Sequence, residues 1–209
     1  MKILILTTCC LMATWIGWRY ASRLKSIPCP TWLAWMVERD NPFSKINRAP
    51  AIIENSHILP GMAVLDAGCG PGRLTIPTAQ AVGPQGKVVA MDIQAGMLEK
   101  VEKKAKDLKN IEFLHAGLGE NKLAANQFDR ALLVTVIGEI PDQNSALEEI
   151  FNALKPNGIL SITEIIFDPH YQSKDSILQA ASSVGFQEKG GFEDWASFTL
   201  LLEKPRANY

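Results

Sequence analysis

The 209-residue sequence predicts an α/β protein built on a doubly wound, mostly parallel sheet. Two observations lead there. From Val64 onward, short apolar runs alternate with segments whose apolar residues recur at helical spacing, the pattern of parallel strands joined by crossover helices. The first of these runs, Val64-Leu65-Asp66-Ala67, passes straight into Gly68-Cys69-Gly70-Pro71-Gly72. A glycine turn at the carboxyl end of a strand is where doubly wound sheets hold nucleotide-like ligands. Glycines at alternate positions remove Cβ atoms where the backbone must turn sharply and a ligand must come close.

The elements follow in chain order. Ile3 to Trp18 is uncharged and mostly apolar, and Arg19, Arg23 and Lys25 come directly after it. The run falls just short of the usual span of about 17–25 residues, and Met1, Tyr20 and Ala21 as interfacial turns complete it. It reads as an N-terminal hydrophobic anchor helix. Trp15, Trp18 and Tyr20 lie where an aromatic belt would sit, and the basic flank places the rest of the chain on the cytoplasmic face of a membrane. Two other readings stay open: a helix folded back as a lid on the domain, and a signal peptide, for which no good cleavage site appears. Ile27-Pro28-Cys29-Pro30 is a stiff linker. Thr31 to Val37 reads as a short apolar helix capped by Thr31. Its Trp32, Trp35 and Met36 form a face for the membrane, a substrate pocket or the domain itself. The organisation is therefore an anchor over 1–26, a linker and short helix over 27–45, and a catalytic or binding domain over 46–209.

Ser44 to His57 reads as the helix before the first strand. The helix after the glycine turn contains Pro77, so it starts there or is kinked. Lys87 to Ile93 is the second strand. The mixed charges from Glu99 to Asp107 form the solvated face of a helix that turns Leu98, Val101, Ala105 and Leu108 inward. Phe128 to Val136 is the fourth strand, Asp142 caps the next helix, and Pro156 with Asn157-Gly158 ends that helix and opens the fifth strand. Ile177, Leu178, Ala181 and Val184 mark a last helix, stopped by Gly185. Phe186–Lys189 and Phe198–Glu203 are the closing strands.

Composition narrows the function. The formal net charge is −1 with no concentrated basic patch, against a nucleic-acid partner. Cys9, Cys10, Cys29 and Cys69 show neither paired spacing nor partnering histidines, against a zinc site. A dinucleotide fingerprint would need glycine at position 73, where the chain has Arg73, which argues against a nicotinamide-dependent oxidoreductase. The negative charge of Asp66 ahead of the turn, read as lying near the pocket mouth, suits a ligand carrying an ammonium or a sulfonium better than a pyrophosphate.

Residues 64–72 resemble motif I of the class I S-adenosylmethionine-dependent methyltransferases, V-L-D-x-G-C-G-x-G. Phe128-Asp129 and Leu154-Lys155-Pro156-Asn157-Gly158 are similar to that family's openings of the fourth and fifth strands. The resemblance runs from about residue 45 to the carboxyl terminus. It implies a seven-stranded Rossmann-like methyltransferase fold whose last strand is antiparallel. S-adenosyl-L-methionine would be bound by Asp66, Gly68, Cys69, Gly70 and Gly72, with Gly117 and Thr135 at the next strand ends. It further implies that Asp92 holds the ribose hydroxyls, that Ile93 packs on adenine, and that Met97 covers the other ring face or serves as helix core. One departure stands out. Many relatives carry G-D-A after the third strand, with the aspartate on the adenine amine, whereas this chain has Gly117-Leu118-Gly119-Glu120. Either Glu120 reaches back or a backbone carbonyl takes the amine.

Methyl transfer from a sulfonium is an in-line displacement that needs alignment, exclusion of water and, for some nucleophiles, a base. No metal is required. The candidate catalytic groups lie at carboxyl ends of strands: Glu139 after the fourth, Glu164 at the end of the fifth, and Asp168, His170 and Tyr171 just beyond. His170 is the natural base by its ordinary pKa. The chain lacks the Asn/Asp-Pro-Pro-aromatic motif after the fourth strand, against adenine-N6 or glutamine methylation. The Trp-rich amino-terminal region favours a small lipophilic acceptor. A binding scaffold or sensor without transfer activity is the competing reading. The oligomeric state is not encoded in any feature of the chain.

Overall fold

A computed structural model describes Gly17, residues 29–40 and residues 42–206. The expected anchor helix over residues 3–18 lies, but for Gly17, outside the described residues. Among the described residues no helix is long and apolar enough to cross a membrane.

Seven strands form one sheet: β1 Ala63–Ala67, β2 Lys87–Asp92, β3 Ile111–His115, β4 Phe128–Val134, β5 Leu154–Ile165, β6 Gln187–Glu193 and β7 Ser197–Glu203. Their spatial order is β3-β2-β1-β4-β5-β7-β6. β1 to β5 are mutually parallel, and β7 runs antiparallel between β5 and β6. The order reverses between β1 and β4, so the crevice beyond their carboxyl ends is the natural ligand site. The outer strand β6 slips register between Glu188 and Gly190, where Gly190 has φ +132°.

The strands build two cores by simple alternation. In β1, Leu65 and Ala67 face a cluster with Met91, Leu133, Ile162 and Leu200. It is covered by α5 (Gln143–Ala153) and α6 (Lys174–Val184) through Leu147, Ile150, Ile177 and Ala181. Val64 faces the opposite side with Val88 and Leu132, under α2 (Ala49–Asn55) and α3 (Thr75–Val82). A third cluster joins Cys69 and Ala90 to Leu98 and Val101 of α4 (Ala95–Lys104).

Local chemistry sets the helix ends. Asp142 caps α5, accepting from the Ser145 N–H at 3.0 Å and the Ser145 hydroxyl at 2.7 Å. Gly185, at φ +113°, stops α6 in the left-handed region. Pro77 falls in the first turn of α3, where its missing N–H costs nothing, so that helix starts early rather than kinking.

Three expectations are corrected. The helix before β1 is α2 alone, not Ser44 to His57: Pro50 belongs in a first turn, the Ala49 N–H is held by Asp40 at 2.9 Å, and the Ser44 hydroxyl is drawn to Asp194 at 3.0 Å. Thr31 does not cap the short helix. It lies inside a 3₁₀ turn, Thr31–Leu33, with Pro30 at the capping position, ahead of α1 (Ala34–Val37). α1 buries Ala34 and leaves Trp32 74% and Trp35 62% exposed, so the tryptophans face outward from the domain. Finally, α4 ends at Lys104, which puts Ala105 at its cap and Leu108 in the following turn.

Candidate active site

The glycine turn is tied to the end of β2. The N–H groups of Gly68 and Cys69 both donate to the Met91 carbonyl, at 2.8 and 3.0 Å. The Gly70 N–H donates to Asp92 Oδ2 at 2.9 Å, and the Gln94 N–H to Oδ1 at 2.8 Å. Gly68, Gly70 and Gly72 all have left-handed φ, at +69°, +52° and +91°. A Cβ on Gly68 would meet the Val136 side chain at 2.5 Å and one on Gly72 the Val101 side chain at 3.0 Å, whereas beside Gly70 there is open space. The turn is thus packed at both ends and vacant in the middle, beside Asp92. Burial pushes the Asp92 carboxyl up, against the two backbone N–H bonds and the nearby His115 that favour its charge. Cys69 is buried, with a thiol pushed far up chiefly by desolvation, as suits a small packing residue and not a nucleophile.

Asp66 is not at an open mouth. It is 3% exposed, and its Oδ2 accepts the Thr75 hydroxyl at 2.6 Å. β1 directs it beneath the turn toward the start of α3, where burial lifts its pKa to about 6 against the lowering effects of Thr75 and Arg73. Arg73, the residue that breaks the dinucleotide pattern, binds the Asn47 carbonyl at 2.6 Å and Asp40 at 3.2 Å.

Beyond β2 the surface changes character. Ile93 is 58% exposed directly after the buried acid. His115 Nε2 lies 3.0 Å from the Ile93 carbonyl, and the Ala116 N–H donates to the Asp92 carbonyl at 3.2 Å, which stitches the ends of β2 and β3 together. Met97 is buried in α4. Thr135 follows β4 at φ +55°, its N–H on the Thr163 carbonyl at 2.8 Å and its hydroxyl on the Val134 carbonyl at 2.7 Å. At Gly117, Glu120 Oε1 lies 3.0 Å and Ile93 Cδ1 3.5 Å from the place a Cβ would take, so the Glu120 side chain folds toward Gly117.

The catalytic candidates come together from two loops. The 3₁₀ turn Ile137–Glu139 follows β4, and the loop 166–173 follows β5. Gly138 lets them meet, because a side chain there would collide with the His170 carbonyl. His170 Nδ1 lies 3.7 Å from Glu139 Oε1 and 3.8 Å from Asp168 Oδ1. His170 is 6% exposed and its Nε2 has no partner; Glu164 is 1% exposed and its Oε1 has none either. Glu164 Oε2 accepts the Gln172 N–H at 3.1 Å. Burial, and then neighbouring carboxylates, push Glu139 and Glu164 each up to about 8. The charge of Asp92 is among those that raise the Glu139 pKa. Tyr171 turns away to an edge contact with Phe198.

Sequence reasoning missed several contributors. Cys29 adjoins the end of β2: its carbonyl accepts from Gln94 Nε2 at 2.9 Å. Glu149 is buried on the inner face of α5 and accepts the N–H groups of Gly119, Lys122 and Leu123 at 2.6, 2.6 and 3.0 Å. A charge inside the apolar stripe Ala146, Leu147, Ile150, Ala153 was the legible sign of it. Phe43, Phe167 and Trp195 form an edge-to-face aromatic group with centroids 5.7–6.5 Å apart, at the carboxyl end of β5 where β7 begins.

Residues 58–198 match a family model described as a methyltransferase domain. The demethylmenaquinone methyltransferase of Lactococcus lactis subsp. lactis is 37% identical over 102 residues, 48% of this chain and 40% of the relative. That of Staphylococcus saprophyticus is 30% identical over 113 residues, 54% of this chain and 48% of the relative. The chain thus spans less than half the length of these curated relatives. Among solved structures, a SAM-dependent methyltransferase from Aquifex aeolicus superposes with a TM-score of 0.75 at 22% identity, covering 84% of this chain and 98% of that one. The [4+2]-cyclase SpnF superposes with 0.67 at 16% identity, covering 75% and 79%. These two likenesses describe the fold.

The residues present fit S-adenosyl-L-methionine. A carboxylate offers about four acceptor positions, and Asp92 has committed two of them, which leaves two for a ribose diol. Ile93 offers an apolar platform beside it, and the space at Gly70 admits a ligand against bare backbone.

Proposed function

This chain belongs to the methyltransferase-domain family, which uses S-adenosyl-L-methionine, and we propose that it moves a methyl group to a small lipophilic molecule by in-line displacement. One observation carries the reading: the loop after β4 packs Val136 on Gly68 of the glycine turn and, two residues on, meets His170 at Gly138, so the cofactor end and a buried acid–imidazole group adjoin.

The bound cofactor supplies a methyl group on a positively charged sulfur. Asp92, Ile93 and the backbone around Gly70 orient it, with Asp66 and Thr75 supporting the turn from below. Met97, Gly117 and Thr135 complete the proposed cofactor lining. The acceptor lies toward Glu139, Glu164 and His170, whose unpartnered Oε1 and Nε2 receive its polar hydrogen. The Asp168 carboxylate, 3.8 Å from Nδ1, favours the tautomer that keeps its proton there, leaving the Nε2 lone pair to take the acceptor's proton as the methyl–sulfur bond breaks and the new bond to the methyl carbon forms. The aromatic group of Phe43, Phe167 and Trp195 at the same edge suits an apolar ring. A quinol-like acceptor agrees with the names of the relatives. The uncharged segment Ile3–Trp18 and its basic flank would hold the domain at the cytoplasmic face of a membrane, where such acceptors reside.

The test is transfer of a labelled methyl group from S-adenosylmethionine to short-chain naphthoquinols, with the full-length protein in detergent. Transfer that falls at least about tenfold in Glu164→Gln and His170→Gln supports the reading. Tight binding of S-adenosylhomocysteine with no transfer to any acceptor would favour the scaffold or sensor instead.

A further inference from the structure

We propose that the aromatic group Phe43, Phe167 and Trp195 seats the domain on an anionic lipid bilayer, beside the way into the acceptor site; this rests on the membrane-anchor reading of Ile3–Trp18 above. The three rings come from distant parts of the chain, yet they gather with their faces bare: Phe43 is 60%, Phe167 44% and Trp195 67% exposed. Clustered apolar exposure marks an interaction surface, whereas apolar side chains scattered singly do not. The group is also rigid. Asp194 accepts the Ser44 hydroxyl and the Lys45 N–H, each at 3.0 Å, and the N–H groups of Ala196 and Ser197 at 3.0 and 2.9 Å. One carboxylate therefore pins the segment carrying Phe43 to the turn carrying Trp195.

Position, charge and the neighbouring site all point to lipid as what covers this face. Cys29, at the end of the linker, is held beyond the carboxyl end of β2 by Gln94. The aromatic group lies at the carboxyl end of β5, three strand spacings along the same edge of the sheet, or about 14 Å. Residues 19–28, which join Cys29 to the apolar run, reach up to about 33 Å. A run held in a bilayer therefore keeps this edge of the sheet, and the rings on it, within reach of the surface. The charge agrees. In the stretch that carries Phe43, the basic residues Arg39, Lys45 and Arg48 are exposed, whereas its acids are engaged, Glu38 by Lys104 and Asp40 by Arg73. They add to Arg19, Arg23 and Lys25 of the flank, and basic residues around aromatic rings suit anionic headgroups at the depth where tryptophan is enriched. The loop after β5 then joins this surface to the site: it turns Phe167 outward and buries His170. A lipid-borne acceptor that leaves the bilayer at Phe167 arrives at the acid–imidazole group without crossing water.

The test places the full-length protein in vesicles of phosphatidylcholine and phosphatidylglycerol. Trp15→Phe, Trp18→Phe, Trp32→Phe and Trp35→Phe together leave Trp195 as the sole tryptophan. Its emission should shift to the blue, and most of it should be lost when the lipids carry bromine in the upper acyl chain. Phe43→Ser with Phe167→Ser should restore that emission while the protein still floats with the vesicles. If the fourfold replacement does not fold, wild type against Trp195→Phe reads the same quantity as a difference in quenched emission. A protein that floats with the vesicles while Trp195 escapes the bromine overturns the inference alone. Escape with access to aqueous iodide then leaves the face to water, and escape from iodide as well assigns it to the amino-terminal segment or to a second copy. A protein that does not float overturns the anchor reading and the inference with it, and leaves methyl transfer, measured in detergent, untouched.

Discussion

The carboxylate of Asp92 holds the N–H of Gly70 at 2.9 Å, so the acid ending β2 and the turn following β1 form one unit. Both oxygens are already engaged by backbone, which fixes the rotamer that a ribose diol would meet.

Replacing Asp92 with alanine removes both the proposed ribose contacts and this brace. Loss of hydrogen bonds to a charged group predicts a fall of about 10–100-fold in S-adenosylhomocysteine affinity by calorimetry. Unchanged affinity with an intact circular dichroism spectrum would remove Asp92 from the site.

Gly68→Ala places a methyl group 2.5 Å from the Val136 side chain at a φ of +69°. Strain and overpacking together predict a loss of about 1–3 kcal/mol in urea unfolding. Gly70→Ala, at φ +52° but facing open space, should cost less stability and act on cofactor affinity instead.

Stability should fall as pH rises. Glu139 and Glu164 are pushed up to about 8 and Asp66 to about 6, so the folded state keeps protons that unfolded carboxyls, with pKa values near about 4, have already lost. With more protons bound in the folded state, this contribution is full below about pH 4 and is lost as pH rises through about 6 and then about 8. Urea unfolding should show a steady decline in stability between about pH 5 and pH 8.5. Glu164→Gln should flatten that slope, and a flat wild-type profile would contradict the assignment.

Asp129→Ala should destabilise the sheet by about 1–2 kcal/mol without altering cofactor affinity. Its carboxylate accepts the Ala63 N–H at 2.8 Å and binds Lys155 at 2.8 Å, joining the starts of β1, β4 and β5 at the edge opposite the site. Thermal unfolding beside a titration with S-adenosylhomocysteine separates the two effects.

The same pair shows what could be read in advance. Phe128-Asp129 and Leu154-Lys155 stood out in the sequence as strand openings, and the structure links them by an ion pair. The strand–helix alternation, the glycine turn and the Asp142 cap were legible because each is written in a few consecutive residues. The course of the Ser44–Asn47 turn was not, because Asp194 determines it across 150 positions. Asp66 looked ligand-facing because sequence gives a position beside the turn but not the side of the strand to which a side chain points. Cys29 was hidden for a related reason: it acts through its own backbone carbonyl, which leaves no mark on residue type.

The slipped register in β6 bears on how copies of the protein behave toward one another. A straight outer strand offers its free N–H and C=O groups as a template for a neighbour's chain. Here the offset at Gly190 breaks that row. Lys189 pairs with Glu203 at 3.0 Å and Lys174 approaches Glu188 at 4.0 Å, which lines the border with fixed charge. The β6 margin is thereby a poor template for fibril-like growth, which leaves exposed apolar side chains elsewhere, Trp32, Trp35 and Trp195 among them, as the places where copies would associate at high concentration.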